Sequence, residues 1–315
     1  MPWKVTDLMN ERMRFVVRLE NGERMTDLCR EFDVSRKTGY KIWNRYKEKG
    51  PPGLSNQSRT AHRLPHETPK VIKDLMIDYK KLHPTWGPKK LKFEWERKNF
   101  GVKLPAVSTI GSILDKEGLV KKRRRRRSIC SYPHNLRESH NPNDIWCADF
   151  KGEFRMGNRQ YCYPLTITDH YSRYLICCES LDSTEMVGTY RCFKKAFAKY
   201  GIPSVIRTDN GTPFASSSSF GGLSRLSVWW IKLGIIPERI ECGRPEQNSR
   251  HERYHLTLKE ETLRPPKSNM LQQQERFDEH KQEYNTARPH ESLKMKYPSE
   301  VYKPSLKVYE EKEPV

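Results

Sequence analysis

The sequence predicts a multi-domain protein in which two all-α helix-turn-helix domains precede an α/β domain with a mixed five-stranded sheet. Three observations carry that expectation. Helical periodicity, with capping residues and tight turns, fills the first 120 residues. A run of seven bases from Lys121 to Arg127 then interrupts it. Beyond residue 140, short apolar runs typical of strands alternate with helical stretches. The resulting boundaries are 1–52 and 69–120 for the two helical domains and 53–68 and 121–140 for linkers. Residues 141–303 form the α/β domain and 304–315 a C-terminal tail.

Residues 6–49 read as three helices. Met25 to Phe32 is a short helix, "DVS" a tight turn, and Ser35 the cap of a helix that stops at Gly50 before Pro51 and Pro52. Ile42, Trp43 and Tyr46 supply packing. Ser35, Arg36, Lys37, Tyr40 and Lys41 form an exposed helix start that can enter a DNA major groove. In the second unit, Ile72, Leu75, Met76, Tyr79 and Leu82 make a helical stripe, and a further helix follows Pro88. Ser108 is the expected cap of the last helix, with Ile110, Ile113 and Leu114 inward, Gly118 as the stop, and Ser108, Thr109 and Ser112 outward.

Charge is distributed unevenly. The net charge is +20 over 315 residues; residues 1–128 carry 32 Lys and Arg against 15 Asp and Glu, and the remainder 27 against 24. A basic half of this kind points to nucleic acid as partner. Arg123, Arg124, Arg125, Arg126 and Arg127 repel one another in any compact fold, so an extended, phosphate-tracking linker suits them better than a nuclear targeting signal. No apolar run approaches the ~18 residues of a membrane span, and the N-terminus lacks the apolar core of a signal peptide. Eight cysteines without CxxC spacing argue for reduced thiols in a cytoplasmic or nucleoid setting.

In the second half, "DIWCADFKGEF", "YCYPLTITDH", "RYLICCES", "GIPSVIRTDNG" and "GIIPERI" read as five strands. Helices are expected from Ser183 to Lys199, from Leu223 to Leu233, and after the fifth strand. Three carboxylates stand out: Asp149 in the first strand, Asp209 at the end of the fourth, and Glu252 on the last of these helices. Brought together, they suit two Mg²⁺ ions, because hard cations prefer carboxylate oxygens. On that helix Tyr254 and Leu258 share the expected core face, while Asn248, Glu252 and Lys259 share another sector, with Lys259 placed to hold a phosphate. Asp169 reads as a turn-forming structural acid, and His170, His251 and His255 as polar surface or as groups near the metals.

The segments "WCADF", "RTDNGTPF", "HERYHLTLKEE" and "YNTARPHESLKMKYPSEVY", in that order, resemble the integrase-like DDE transposases of bacterial insertion sequences. The tandem helix-turn-helix front end resembles them too. The resemblance implies an RNase H-like catalytic core related to retroviral integrases, with Asp149, Asp209 and Glu252 as catalytic and metal-binding acids. It further implies two Mg²⁺ ions, with Mn²⁺ able to substitute, and cleavage and joining of double-stranded DNA. The DNA partners would be terminal inverted repeats and target DNA, handled by a homo-oligomer. Two departures stand against the family pattern: 42 residues separate Asp209 from Glu252, more than in many relatives, and Ser249 occupies a position where glycine is frequent. The paired His/Cys zinc module of retroviral integrases is absent. A DNA-binding regulator with an inactive core is the alternative reading.

Overall fold

The computed structural model describes residues 8–56, 67–98, 101, 103–120, 136–216, 219–241 and 244–311. The chain divides into two compact units, Met1–Glu67 and Thr68–Val315.

In the first unit, α1 (Leu8–Glu20), α2 (Met25–Glu31) and α3 (Arg36–Lys49) enclose Phe15, Val16, Leu28, Ile42 and Leu54. Ser35 caps α3 by accepting the Thr38 N–H at 3.2 Å. At Gly39 on α3 a Cβ would lie 2.7 Å from the Cys29 sulfur of α2, so the two helices meet where a side chain is missing. Arg36, Lys37, Tyr40 and Lys41 are exposed at the start of α3.

The second unit begins with α4 (Lys70–Leu82), α5 (Pro88–Lys98) and α6 (Val107–Lys116), packed around Met76, Trp86, Leu91, Leu104, Ile110 and Leu114. Two expectations need correction. Leu82 is exposed at the last residue of α4, outside the buried stripe. Ser108 lies inside α6 rather than capping it, because the extended residue before the helix is Ala106. Gly118, at φ 69°, closes α6 with its N–H on the Asp115 carbonyl.

This helical unit is tied to the rest of its compact unit by side-chain bonds. The Tyr297 hydroxyl donates to the fully buried Glu94 carboxylate, and Arg97 pairs with Glu300 at 2.8 Å. The Thr85 hydroxyl donates to Glu261 at 2.5 Å, and His83 lies 3.5 Å from Glu283. Residues 69–120 and the α/β part thus lie within one compact unit, Thr68–Val315. Arg123 to Arg127 lie outside the described residues.

The α/β part runs β1 (Ile145–Phe150), β2 (Phe154–Arg155), β3 (Tyr161–Asp169), β4 (Leu175–Leu181), α7 (Met186–Tyr200), β5 (Val205–Thr208), α8 (Arg225–Lys232), β6 (Ile236–Arg239), α9 (Ser249–Thr262) and α10 (Met270–Thr286). Across the sheet the order is β4-β3-β1-β5-β6, antiparallel through β4, β3 and β1 and parallel through β1, β5 and β6. The sheet is mixed, as expected, but has six strands rather than five. The single strand read from "DIWCADFKGEF" is two. Phe150 pairs with Leu165 and Phe154 with Cys162, so one extra residue bulges out near Gly152, whose φ is 87°. α7 starts at Met186, after Ser183 accepts the Glu185 N–H at 3.4 Å.

Trp146, Phe193, Phe197, Trp229 and Trp230 fill the space between the sheet, α7 and α8. The last described residues pack on this core instead of trailing away. Ser305 N–H donates to the Tyr200 carbonyl at 2.8 Å, and the Tyr309 ring lies 5.8 Å from Phe197. No described helix is long and apolar enough to cross a membrane.

Candidate catalytic and metal site

Asp149 lies in the central strand β1, opposite Thr166 of β3. On its other side β1 runs parallel to β5, with Cys147 beside Arg207. Carried two residues further, that register sets Asp209, just past the end of β5, alongside Asp149. The turn after β5 holds this placement. The Asp209 carboxylate accepts the Gly211 N–H at 3.1 Å, and the Asn210 amide donates to the Ile240 carbonyl at 2.7 Å. Arg207 is buried and bound to Glu238 of β6 at 2.7 Å, anchoring β5 to its neighbour.

Glu252 is exposed in the first turn of α9, whose opposite face buries Tyr254 and Leu258 against Phe277 and Tyr284. Asn248 does not share the exposed sector with Glu252. It precedes the helix at φ −112° and is buried.

Burial pushes the Asp149 carboxyl up to about 7, and the negative charges of Asp209 and Glu252 add to the rise. The charges of both acids are thus felt at Asp149. Lys151 stands two residues after Asp149. Burial lowers its ammonium, the charge of Lys259 lowers it further, and Asp149 opposes both. Lys259 is the residue expected from the helical spacing to face this side; Lys151, which feels both charges, was not singled out from the sequence. The period-two alternation of a strand, which puts residues i and i+2 on one face, was the signal that could have found it.

Behind Asp149 lies a buried network. The Thr166 hydroxyl donates to the Asp149 carbonyl at 3.0 Å. It also lies 2.8 Å from His251 Nε2 and 2.7 Å from His255 Nε2. With its one proton committed, Thr166 accepts from both rings, so each histidine carries its proton on Nε2. His251 Nδ1 then accepts the Thr168 hydroxyl at 2.8 Å. Burial pulls His251 down to about 3, and burial together with His251 and Lys151 pulls His255 down to about 2. Both are neutral and buried, so of the two places expected for them the polar surface is excluded, and both lie beside Asp149.

Among the described residues, the three groups with ligand atoms within 4.8 Å of one another are Asp149, His251 and His255, not three carboxylates. Both His251 nitrogens are occupied by threonine hydroxyls, which leaves that ring with no lone pair for a metal. His255 differs. Its Nδ1 carries a lone pair and lies 3.8 Å from Asp149 Oδ2. A cation between the two would find a nitrogen and a carboxylate oxygen, with Asp209 and Glu252 contributing hard oxygens nearby.

The remaining residues singled out from sequence are placed as follows. Ser35, Arg36, Lys37, Tyr40 and Lys41 belong to the first unit. Ser108 and Ser112 are exposed on α6, Thr109 is half-buried, and the Ser112 hydroxyl donates to the Ser108 carbonyl. Asp169 is buried and accepts the N–H groups of Asn143 and Ser172 at 2.8 and 2.7 Å, a structural role. His170 sits 3.3 Å from the Cys147 sulfur.

Comparison with known proteins adds to this geometry. A family model described as an integrase core domain matches residues 139–245, and a second of the same description matches 233–298. A helix-turn-helix domain model matches residues 11–61. An uncharacterized 31.7 kDa protein of insertion element IS407 from Burkholderia multivorans is 27% identical over 58% of this chain and 63% of its own length. A 39.2 kDa protein of insertion element IS476 from Xanthomonas euvesicatoria is 29% identical over 55% of this chain and 48% of its own. The chain thus spans between about half and two thirds of these relatives. Among solved structures, a chain of a simian T-cell lymphotropic virus intasome superposes with a TM-score of 0.47 at 19% identity, over 75% of this chain and 79% of that one.

Proposed function

We propose, for a chain that belongs to the integrase-like transposases of insertion elements, that it binds the terminal inverted repeats of its element and joins them to target DNA at an Asp149–Asp209–Glu252 site. The observation that carries this reading is the charge of Asp209 and Glu252 falling on a half-buried Asp149 where β1 runs beside β5.

The donor set fits two Mg²⁺ ions, with Mn²⁺ as a substitute, since clustered carboxylates that repel one another are stabilised by hard cations. Bound there, the metals would polarise the phosphodiester and activate the attacking oxygen. Asp149, Asp209 and Glu252 hold, and His255 Nδ1 faces the same place. Lys151 and Lys259 steady the phosphate under attack by their charge. The Thr166–His251–His255 network fixes α9 against β3, and with it the direction in which Glu252 points.

The helix-turn-helix unit supplies sequence recognition through Arg36, Lys37, Tyr40 and Lys41, with Ser35 at the cap. In the same reading α6 is a second DNA-facing helix through Ser108, Thr109 and Ser112, and Arg123 to Arg127 track phosphates between the two parts. Joining two ends in one event calls for a homo-oligomer acting at the nucleoid.

The test is a gel assay of the purified protein with its flanking genomic repeats and Mg²⁺. Strand transfer should be lost in Asp149→Asn, Asp209→Asn and Glu252→Gln while end binding persists. Near-normal transfer by Glu252→Ala would sink the assignment. End binding without Mg²⁺-dependent nicking by the native chain would favour the regulator instead.

A further inference from the structure

A cavity of about 500 Å³ lies between α5, α9 and the segment after α10. Five cationic side chains line it, Lys90, Arg173, Arg250, Arg253 and Arg288, against one acid, Glu260. Three of the five have internal work. Arg288 is bound to Glu261, and Arg173 donates to the His170 carbonyl at 2.8 Å, a carbonyl that Arg250 also reaches at 3.4 Å.

Lys90 is different. It is half-buried and has no hydrogen-bond or ion-pair partner among the described residues. Burial lowers its ammonium to about 8, and the charges of Arg288 and Arg253 act in the same direction against Glu261 and Glu291. Those two acids are engaged elsewhere: Glu261 with Arg288, His280 and Thr85, and Glu291 with Lys89 at 3.5 Å. Beside Lys90, the buried His290 Nε2 also has no partner. A fold arranging charge only for its own stability would place an acid on Lys90 or move it into water.

We infer that this cavity is an anion site for a DNA backbone phosphate, gripped by Lys90 and Arg253 with Arg288 held in place by Glu261. It is distinct from the carboxylate site. DNA is the source favoured because Arg250 and Arg253 flank Glu252 on α9, so a strand passing Glu252 runs beside the cavity. The inference rests on the DNA-joining function proposed above only in its choice of ligand.

The experiment measures binding of a fluorescein-labelled duplex to the full chain in EDTA, over a range of salt concentrations, for the native protein, Lys90→Gln and Lys90→Arg. Lys90→Gln should weaken binding about three- to ten-fold and reduce the slope of log K against log salt by about 1. Lys90→Arg should keep both. Ligand-free Lys90→Gln should melt no lower than native, because it removes a repelled cation; this separates a binding defect from a folding one. A parallel titration with inorganic phosphate distinguishes the sources. A Lys90-dependent rise in Tm with phosphate, at unchanged duplex binding, overturns DNA in favour of a free phosphate. Unchanged duplex slope and unchanged phosphate response overturn the site altogether. No step uses Mg²⁺, so a native chain inactive in strand transfer but showing the Lys90-dependent slope would refute the proposed function and not this site.

Discussion

The Thr166 hydroxyl and the His255 ring meet at 2.7 Å directly behind Asp149, so the orientation of α9 is set by a hydroxyl on the neighbouring strand. Thr166→Val removes the acceptor shared by two buried imidazole N–H groups. Each unpaired group costs about 1–3 kcal/mol, so thermal unfolding should show a loss of at least about 2 kcal/mol. Strand transfer should fall further than this stability loss explains, and Thr166→Ser should restore both. A Thr166→Val chain with native Tm would refute the network.

Asp149 makes stability depend on pH. Its folded value of about 7 lies above the ordinary 3.8, so the folded chain keeps this proton to higher pH than the unfolded chain does. The contribution to stability is full below pH 3.8 and is lost as pH rises through about 7. Without divalent metal, Asp149→Asn should therefore be more stable than native at pH 8, by up to about 4 kcal/mol, and the two should converge near pH 4. Melting curves across that range in EDTA check this; parallel profiles would contradict it. Added Mg²⁺ should raise the Tm of the native chain and leave Asp149→Asn almost unmoved.

Glu261 is held well ionised against its own burial, which alone would raise it. The hydrogen bond from His280, the charge of Arg288 and the bond from Thr85 bring it down to about 2. Glu261→Gln leaves Arg288 buried beside Arg173 and Lys90, and should cost about 3–5 kcal/mol in urea unfolding. Arg288→Met in the same chain should recover most of that. Simple additivity of the two losses would show that they do not interact.

Gly201 has a φ of 74°, and a Cβ there would lie 2.7 Å from the Ser305 carbonyl and 2.8 Å from that of Lys307. Gly201→Ala should therefore displace the 305–309 segment. Limited proteolysis should clip the C-terminal residues of the variant at a rate the native chain does not show. Equal cleavage rates would mean that the segment makes room for the Cβ without leaving the core.

Much of the architecture was legible because it is local. The cap at Ser35, the stop at Gly50, the apolar runs of β3 and β5, and the Tyr254–Leu258 face of α9 each follow from the residues of one element. The sixth strand was not legible, because the bulge near Gly152 depends on which residues of β3 lie opposite. Nor was the attachment of the α4–α6 unit. Tyr297–Glu94 and Arg97–Glu300 join residues about two hundred positions apart, and neither partner of a pair points to the other within its own helix.

For the site, the sequence by itself determined which residue types stand where: Asp149 within a strand, Asp209 at a strand end, Glu252 and Lys259 two turns apart on one helix. Only the tertiary structure decided what surrounds them. The parallel register of β1 with β5 brings Asp209 to Asp149, and burial of α9 turns His251 and His255 into neutral supports behind the carboxylate. The same packing gathers Lys90, Arg253 and Arg288 into one cavity from three separate segments. Spacing along the chain reports the face of a single element. Charge repulsion and desolvation arise only between elements, and those are the forces that set Asp149 and Lys90 apart from their neighbours.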